Sequence, residues 1–277
     1  IQLPMNKSHI THLLSDFDPH WAVVSDEHLL GFQRVSAGSN IRAVVRTSFR
    51  DYASKGRVKR LARLRRRHQL NLEGLRGAIG LAGSPDRPEL YELPPTFAWQ
   101  SMTRLGAKQD PLPPQSELHS FEQCTVVLYT GGTTGRPRGV MLSDANIDAV
   151  ARQMQLQGPV LPGQRLLSVV PFSHGFGLGV SVHAVVVASA ESVLLPHYTF
   201  RTVVENFRRK HPEYLTGVPS FYAGLLADRK FHRTRLACLM AAFCGGDRLS
   251  AHVRDLFEIT VRRRGGAVAI REGYGLT

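Results

Sequence analysis

Beyond residue 120 the hydrophobic positions alternate between two periods. Short runs rich in β-branched and aromatic residues predict strands at 125–129, 165–170, 192–195, 214–216, 239–243 and 268–271. Stretches with apolar residues three and four apart predict helices at 145–155, 178–188, 200–209, 220–226 and 251–263. Before residue 120 the pattern is fainter: a helix over 8–15, then strands at 21–24, 41–46 and 75–79. Such strand–helix repetition implies an α/β layered sheet with much parallel pairing, because crossover helices return the chain to the same end of a sheet. Between the halves, residues 83–114 carry Pro85, Pro88, Pro94, Pro95, Pro111, Pro113 and Pro114 and read as a surface excursion or linker. The chain is therefore divided into 1–114 and 115–277, and no internal repeat is visible.

Composition narrows the class. A chain of 277 residues with 43% hydrophobic and 21% charged residues buries a sizeable core and is neither disordered nor a disulfide-stapled miniprotein. The longest nearly apolar stretch, 178–190, is interrupted by His183 and is shorter than the roughly 20 residues that span a bilayer, so no transmembrane helix is expected. Cys124, Cys238 and Cys244 lack CxxC spacing and fit reduced packing thiols, which favours a cytoplasmic location. His9 and His12 share a helical spacing without carboxylate support, so no metal site is assigned. The first residue is Ile1 and the last residues follow a strand-like run directly, which reads as a piece of a longer protein.

The net charge of +13 asks for a polyanion: nucleic acid, an anionic membrane surface or a polyanionic small substrate. Eight cations crowd positions 55–67, namely Lys55, Arg57, Lys59, Arg60, Arg63, Arg65, Arg66 and Arg67, with Val58, Leu61 and Leu64 spaced three apart. The pattern predicts a basic amphipathic helix, either a solvated face packed by one stripe on a core or a peripheral contact with anionic lipid. No aromatic residue interleaves the run and no nucleic-acid-binding signature accompanies it, so a nucleic-acid partner is not expected.

The most informative segment is Tyr129-Thr130-Gly131-Gly132-Thr133-Thr134-Gly135-Arg136-Pro137-Arg138-Gly139, which follows a predicted strand. Glycines let successive backbone N–H groups converge on phosphate oxygens, threonine hydroxyls add donors, and Arg136 and Arg138 add positive charge. The GxxxxGK[ST] loop of kinases and GTPases is excluded, since no Lys-Ser or Lys-Thr pair follows the last glycine. The plainer alternative is a flexible turn.

This segment resembles the Thr/Ser/Gly-rich phosphate motif of the adenylate-forming superfamily, which includes acyl-CoA synthetases, luciferases and adenylation domains. Further segments follow in the family's order: Pro171-Phe172-Ser173-His174-Gly175-Phe176-Gly177-Leu178 resembles its Phe-His-x-x-Gly region. Cys244-Gly245-Gly246-Asp247 is similar to its adenine-side turn, and Arg271-Glu272-Gly273-Tyr274-Gly275-Leu276-Thr277 to its Tyr-Gly-x-Thr-Glu motif. The resemblance covers residues 121–277, with a weaker likeness over 7–24. It implies the layered αβαβα sheets of the family's large N-terminal domain, incomplete at both ends and lacking the mobile C-terminal domain. It also implies a two-step ligase: a carboxylate attacks the α-phosphorus of Mg-ATP, pyrophosphate leaves, and CoA captures the acyl-adenylate.

Carried over residue by residue, the resemblance implies that Thr130, Gly131, Gly132, Thr133, Thr134, Gly135 and Arg138 hold the departing phosphates. Gly245, Gly246 and Asp247 border the adenine with Tyr274 and Gly275, Thr277 reaches the α-phosphate, and His174 stands between the acyl pocket and the reacting carboxylate. Duller readings stand beside these: His174 as a core histidine bonded to backbone, Tyr274 as a half-buried aromatic, and Asp247 as the cap of the following helix. Arg138 occupies a position where most of the family has Lys, preserving charge but not geometry. The acidic residue expected after Thr277 to help hold Mg²⁺ is not within the chain, and the isolated piece is expected not to turn over. The apolar run after Gly177 either walls a greasy channel or packs tightly on the sheet. Together the motifs look most like a fatty-acyl-CoA synthetase, with ATP, Mg²⁺, CoA and a medium- or long-chain fatty acid as the implied ligands. An acyl-AMP or aryl-acid ligase and a non-catalytic nucleotide- or membrane-binding fragment remain as alternatives.

Overall fold

The computed structural model describes residues 7–48, 51, 93–111, 120–130, 137–158, 160–195 and 198–275. The predicted strand at 75–79, the basic run 55–67, Gly131 to Arg136 and Thr277 lie outside the described residues. The chain divides into two compact units, one of Leu3–Pro113 and one whose main body is Pro114–Thr277.

In the first unit, α1 (Lys7–Phe17), β1 (Trp21–Ser25), α2 (Leu29–Ser36), β2 (Ala43–Thr47), β3 (Thr96–Ala98) and α3 (Trp99–Gly106) follow in order. The three strands pair in parallel in the order β1-β2-β3. Ile10 and Leu14 of α1, Phe32 of α2, and Val24, Ile41 and Val44 form its buried core. The stretch expected to be linker over 83–114 is corrected here, because β3 and α3 lie inside it. A three-residue strand is too short to show a period, and Pro95, which lacks an N–H, still accepts a hydrogen bond from Val44 N through its carbonyl (2.9 Å). α2 also went unpredicted.

The second unit begins with an antiparallel pair, β4 (Cys124–Tyr129) and β5 (Gly139–Ser143), in a sheet of its own. There follow α4 (Asp144–Gln157), β6 (Arg165–Ser168), a π-helical turn (Gly177–His183) continuing into α5 (Ala184–Val187), and β7 (Glu191–Leu194). Then come α6 (Phe200–Lys210), β8 (Tyr214–Gly217), α7 (Pro219–Ala227), a 3₁₀ turn (Phe231–Arg233), β9 (Ala241–Gly245), α8 (Ala251–Arg263) and β10 (Ala269–Gly273). Strands β6 to β10 form one parallel sheet in the order β10-β9-β8-β6-β7.

Period-two alternation sends neighbouring residues of each strand to opposite faces. Leu167, Leu215, Ala242, Cys244 and Ile270 meet α6, α7 and α8 through Phe207, Phe221, Tyr222 and Phe257. Leu166, Tyr214, Ala241 and Phe243 meet Val185 and Ala188 on the other face, with Met154 and Phe176 packed against them. A parallel sheet covered on both faces explains why the strands read as nearly continuous apolar runs. Local chemistry starts the helices. Ser143 Oγ accepts from Asn146 N (3.3 Å) while Asn146 Oδ1 accepts from Ser143 N (3.0 Å), and Thr199 and Thr202 make the same reciprocal cap on α6.

The helix predicted over 178–188 begins instead as a π-helical turn. Gly179 rests on Val150 of α4, where an added Cβ would come 2.9 Å from Cγ1, and Gly177 rests on the Pro171 carbonyl. This favours tight packing on α4 over a channel wall.

Within the larger core, Tyr222 is fully buried and its hydroxyl donates to the carbonyls of Phe243 (2.9 Å) and Leu215 (3.3 Å), tying α7 to β9 and β8. Tyr222→Phe removes these bonds and leaves buried carbonyls short of a donor, so a loss of about 1–2 kcal/mol is expected. Urea unfolding should show a lower midpoint at unchanged slope.

Candidate active site

Three of the segments singled out in the sequence meet at the carboxyl ends of the sheet. In the parallel register Gly273 stands beside Gly245, so the last residues of β10 and β9 are neighbours. Gly246 follows with φ +86°, a left-handed conformation that glycine adopts without the Cβ penalty. A Cβ on Gly245 would come 3.2 Å from the Gly273 carbonyl and 3.3 Å from the Phe176 ring. Phe176 therefore lies over the Gly-Gly turn, and its neighbour Gly175 faces Leu128 of β4, at 3.5 Å from where a Cβ would sit. The chain of contacts Leu128, Gly175, Phe176, Gly245 and Gly273 joins the strand before the phosphate-type loop, the Phe-His segment and the ends of β9 and β10.

His174 is exposed, which removes the core-histidine reading, although it does bond to backbone. Its Nδ1 accepts from Phe176 N (3.2 Å), and its carbonyl accepts from Leu178 N (2.9 Å) at the start of the following helical turns. With Nδ1 accepting, the neutral ring carries its proton on Nε2. Tyr274 is 92% exposed and so is not the half-buried aromatic of the alternative reading. Gly275 and Asp247 are exposed as well. Asp247 does not cap α8: that role belongs to Ser250, whose hydroxyl accepts from Val253 N (3.3 Å), while Asp247 Oδ1 accepts from Arg248 N (2.7 Å).

Thr130 and Arg138 form the neck of the phosphate-type loop. Thr130 N donates to the Arg138 carbonyl (3.0 Å) and Arg138 N donates to Thr130 Oγ1 (3.1 Å). The loop joins two antiparallel strands outside the main parallel sheet, and a strand follows it where a kinase-type loop would open a helix. The Arg138 side chain is exposed and makes no ion pair among the described residues. Gly131, Gly132, Thr133, Thr134, Gly135 and Thr277 lie outside the described residues. Phe176 and Leu128 were not singled out from the sequence as site residues. The one local signal for Phe176 is its place between Gly175 and Gly177.

The Cys244 thiol lies in β9 directly before the Gly-Gly turn. Burial, followed by the nearby Glu272 and Asp247 carboxylates, pushes it up to about 12. Among the described residues no group of three or more His, Cys, Asp or Glu side chains gathers as a metal site. No helix among them is long and apolar enough to cross a membrane.

The AMP-binding enzyme family matches residues 32–277, reaching further toward the amino end than the motifs suggested. The chain belongs to this family. A long-chain-fatty-acid–CoA ligase of Bacillus subtilis (strain 168) is 32% identical over 154 residues, which are 55% of this chain and 27% of that enzyme. A luciferin 4-monooxygenase of Nipponoluciola cruciata is 29% identical over 166 residues, 58% of this chain and 29% of that enzyme. The match thus spans under a third of either relative. An anthranilate CoA ligase crystallised with anthranoyl-AMP superposes with a TM-score of 0.73 at 16% identity, covering 99% of this chain and 44% of that one. That likeness shows the fold: an AMP-binding enzyme's α/β architecture with parallel sheets.

Because folding holds the Cys244 thiol protonated, iodoacetamide at pH 8 is expected to spare Cys244 in the native protein and to modify it once urea unfolds the chain. Peptide mapping by mass spectrometry reads this directly. Labelling of Cys244 in the native state would show that the end of β9 opens.

Proposed function

We propose that the protein carrying this chain is an acid–thiol ligase. A carboxylate oxygen bonds to the α-phosphorus of ATP, the bond to the β-phosphate breaks, and pyrophosphate leaves. The CoA thiolate then bonds to the acyl carbon and AMP departs. The observation that carries this reading is the meeting of Leu128, Gly175, Phe176, Gly245 and Gly273, which brings three separated motifs to one end of the sheet. In-line displacement at phosphorus needs positioning and charge neutralisation more than covalent chemistry.

In this reading Thr130 to Gly135 and Arg138 hold the β- and γ-phosphates, and Mg²⁺ arrives as the counter-ion of ATP. Gly245 and Gly246 form a floor without side chains for the adenine. Tyr274 packs its exposed ring against the base with Gly275 leaving room, Asp247 lies on the same side, and Thr277 reaches the α-phosphate. His174 presents Nε2 toward the carboxylate, its Nδ1 being engaged by Phe176 N. The free thiols of Cys124, Cys238 and Cys244 suit a reducing, cytoplasmic setting.

The substrate class we assign is a medium- or long-chain fatty acid, supported by the ligase of Bacillus subtilis. The test is ATP–pyrophosphate exchange by the natural full-length protein across fatty acids of graded length. Exchange driven by aryl acids in preference to fatty acids overturns the substrate, and exchange with no carboxylate tried overturns the ligase.

The role of Arg138 gives a second prediction. A charge-assisted hydrogen bond to phosphate is worth about 1.5–3 kcal/mol, so Arg138→Ala should lower kcat/KM for ATP by about ten- to a hundredfold. Arg138→Lys, which restores the charge at this position, should recover part of the loss. Unchanged kinetics in the alanine variant would remove Arg138 from the phosphate site.

A further inference from the structure

The side of α6 that faces the 3₁₀ turn carries a feature that ATP chemistry does not use. Along α6, two adjoining depressions of about 560 and 420 Å³ share Arg208 and Arg233 as common walls. Arg235 and His211 line the first, and Arg201 and Lys230 line the second. Glu205 is the single acid lining either, and it is engaged by Arg201 at 3.2 Å. Arg208, Lys230, Arg233 and Arg235 have no ion pair among the described residues. Asp228, next along the chain, spends Oδ1 on the backbone N–H groups of Lys230 (2.7 Å) and Phe231 (3.1 Å).

Like charges held together without counter-charges repel one another, so their convergence opposes the fold unless an anion joins them. The walls are firmly held: Phe207 under one and Phe231 under the other are fully buried, with ring centroids 6.4 Å apart. The groove is thus a preorganised cationic surface. The first depression borders the residues that lead into β8 and β9, whereas Gly245 and Gly273 close the opposite ends of five-residue strands, about 13 Å along at the usual rise of a strand.

We propose that this groove docks an acidic helix of a partner protein. Arg201 and Arg208 are two turns apart on α6, about 10 Å, which matches carboxylates at positions i, i+4 and i+7 on one face of a helix. Guanidinium forks bind carboxylates bidentately. The floor formed by Phe207, Ala237 and Cys238 is apolar and receives the small side chains between those carboxylates. Single-stranded RNA fits poorly because no exposed aromatic ring lines the groove for stacking, and a lipid surface fits poorly because the cations line a hollow from which no large apolar side chain projects.

The proposal does not depend on the ligase reading. Its test uses the natural full-length protein and a fluorescein-labelled helical peptide with Glu at i, i+4 and i+7, followed by anisotropy. Arg208→Glu combined with Arg233→Glu should weaken binding about tenfold or more, while Arg34→Glu with Arg42→Glu, an equal change of net charge elsewhere, should change it by less than about twofold. Pyrophosphate exchange should persist in the groove variant, so failure of docking and failure of the ligase reading are separable. Absence of peptide binding by the native protein, or an equal loss in both variants, overturns the proposal. So does tighter binding to phosphatidylserine vesicles or to single-stranded RNA that the groove variant abolishes.

Discussion

Burial of both faces of the five-stranded parallel sheet forces the polar functions of the second unit to the strand ends. Leu166 and Leu167, Tyr214 and Leu215, and Ala241 and Ala242 alternate between two apolar layers, leaving neither face free for a ligand. At the carboxyl ends of two neighbouring strands the side chains shrink to glycine: Gly245 closes β9 and Gly273 closes β10. The chain can therefore bring backbone close to a ligand there and nowhere within the sheet.

The same constraint accounts for the unusual helix after His174. Gly177 and Gly179 have no room for a side chain against Pro171 and Val150, and the helix starts as a π-helical turn. Beneath it Ser181 accepts a hydrogen bond from Ser168 (2.7 Å) and lies 3.3 Å from Thr216, a buried hydroxyl cluster whose members satisfy one another. Packing and hydrogen bonding together hold the segment that carries His174 and Phe176 above the ends of β6 and β9.

Charge is spread over more than one surface of the second unit. Around the Gly-Gly turn, Asp247 adjoins Arg248 in the chain and Glu272 lies 3.9 Å from Arg254. Beside α6, Arg208, Arg233 and Arg235 line depressions in which Glu205 is the single acid. A net charge of +13 is therefore spread over several surfaces.

Much of the second unit was legible from the chain alone. The strands at 125–129, 214–216 and 268–271 and the helices at 145–155, 200–209 and 251–263 were visible because buried parallel strands and amphipathic helices imprint their own periods. The phosphate-type loop, the Phe-His segment and the Gly-Gly turn were visible because glycine placement is local. β3 and β5 were not legible: β3 is three residues long, and β5 earns its place by pairing with β4 across a loop. Whether His174 and Tyr274 are buried, and that Ser250 caps α8 and Asp247 does not, depends on neighbours far along the chain. Phe176 meeting Gly245, and Arg208 and Arg233 lining one groove, join residues separated by dozens of positions. Sequence carries local propensity and chemistry; which distant groups share a surface was decided by the packing of helices on the sheet.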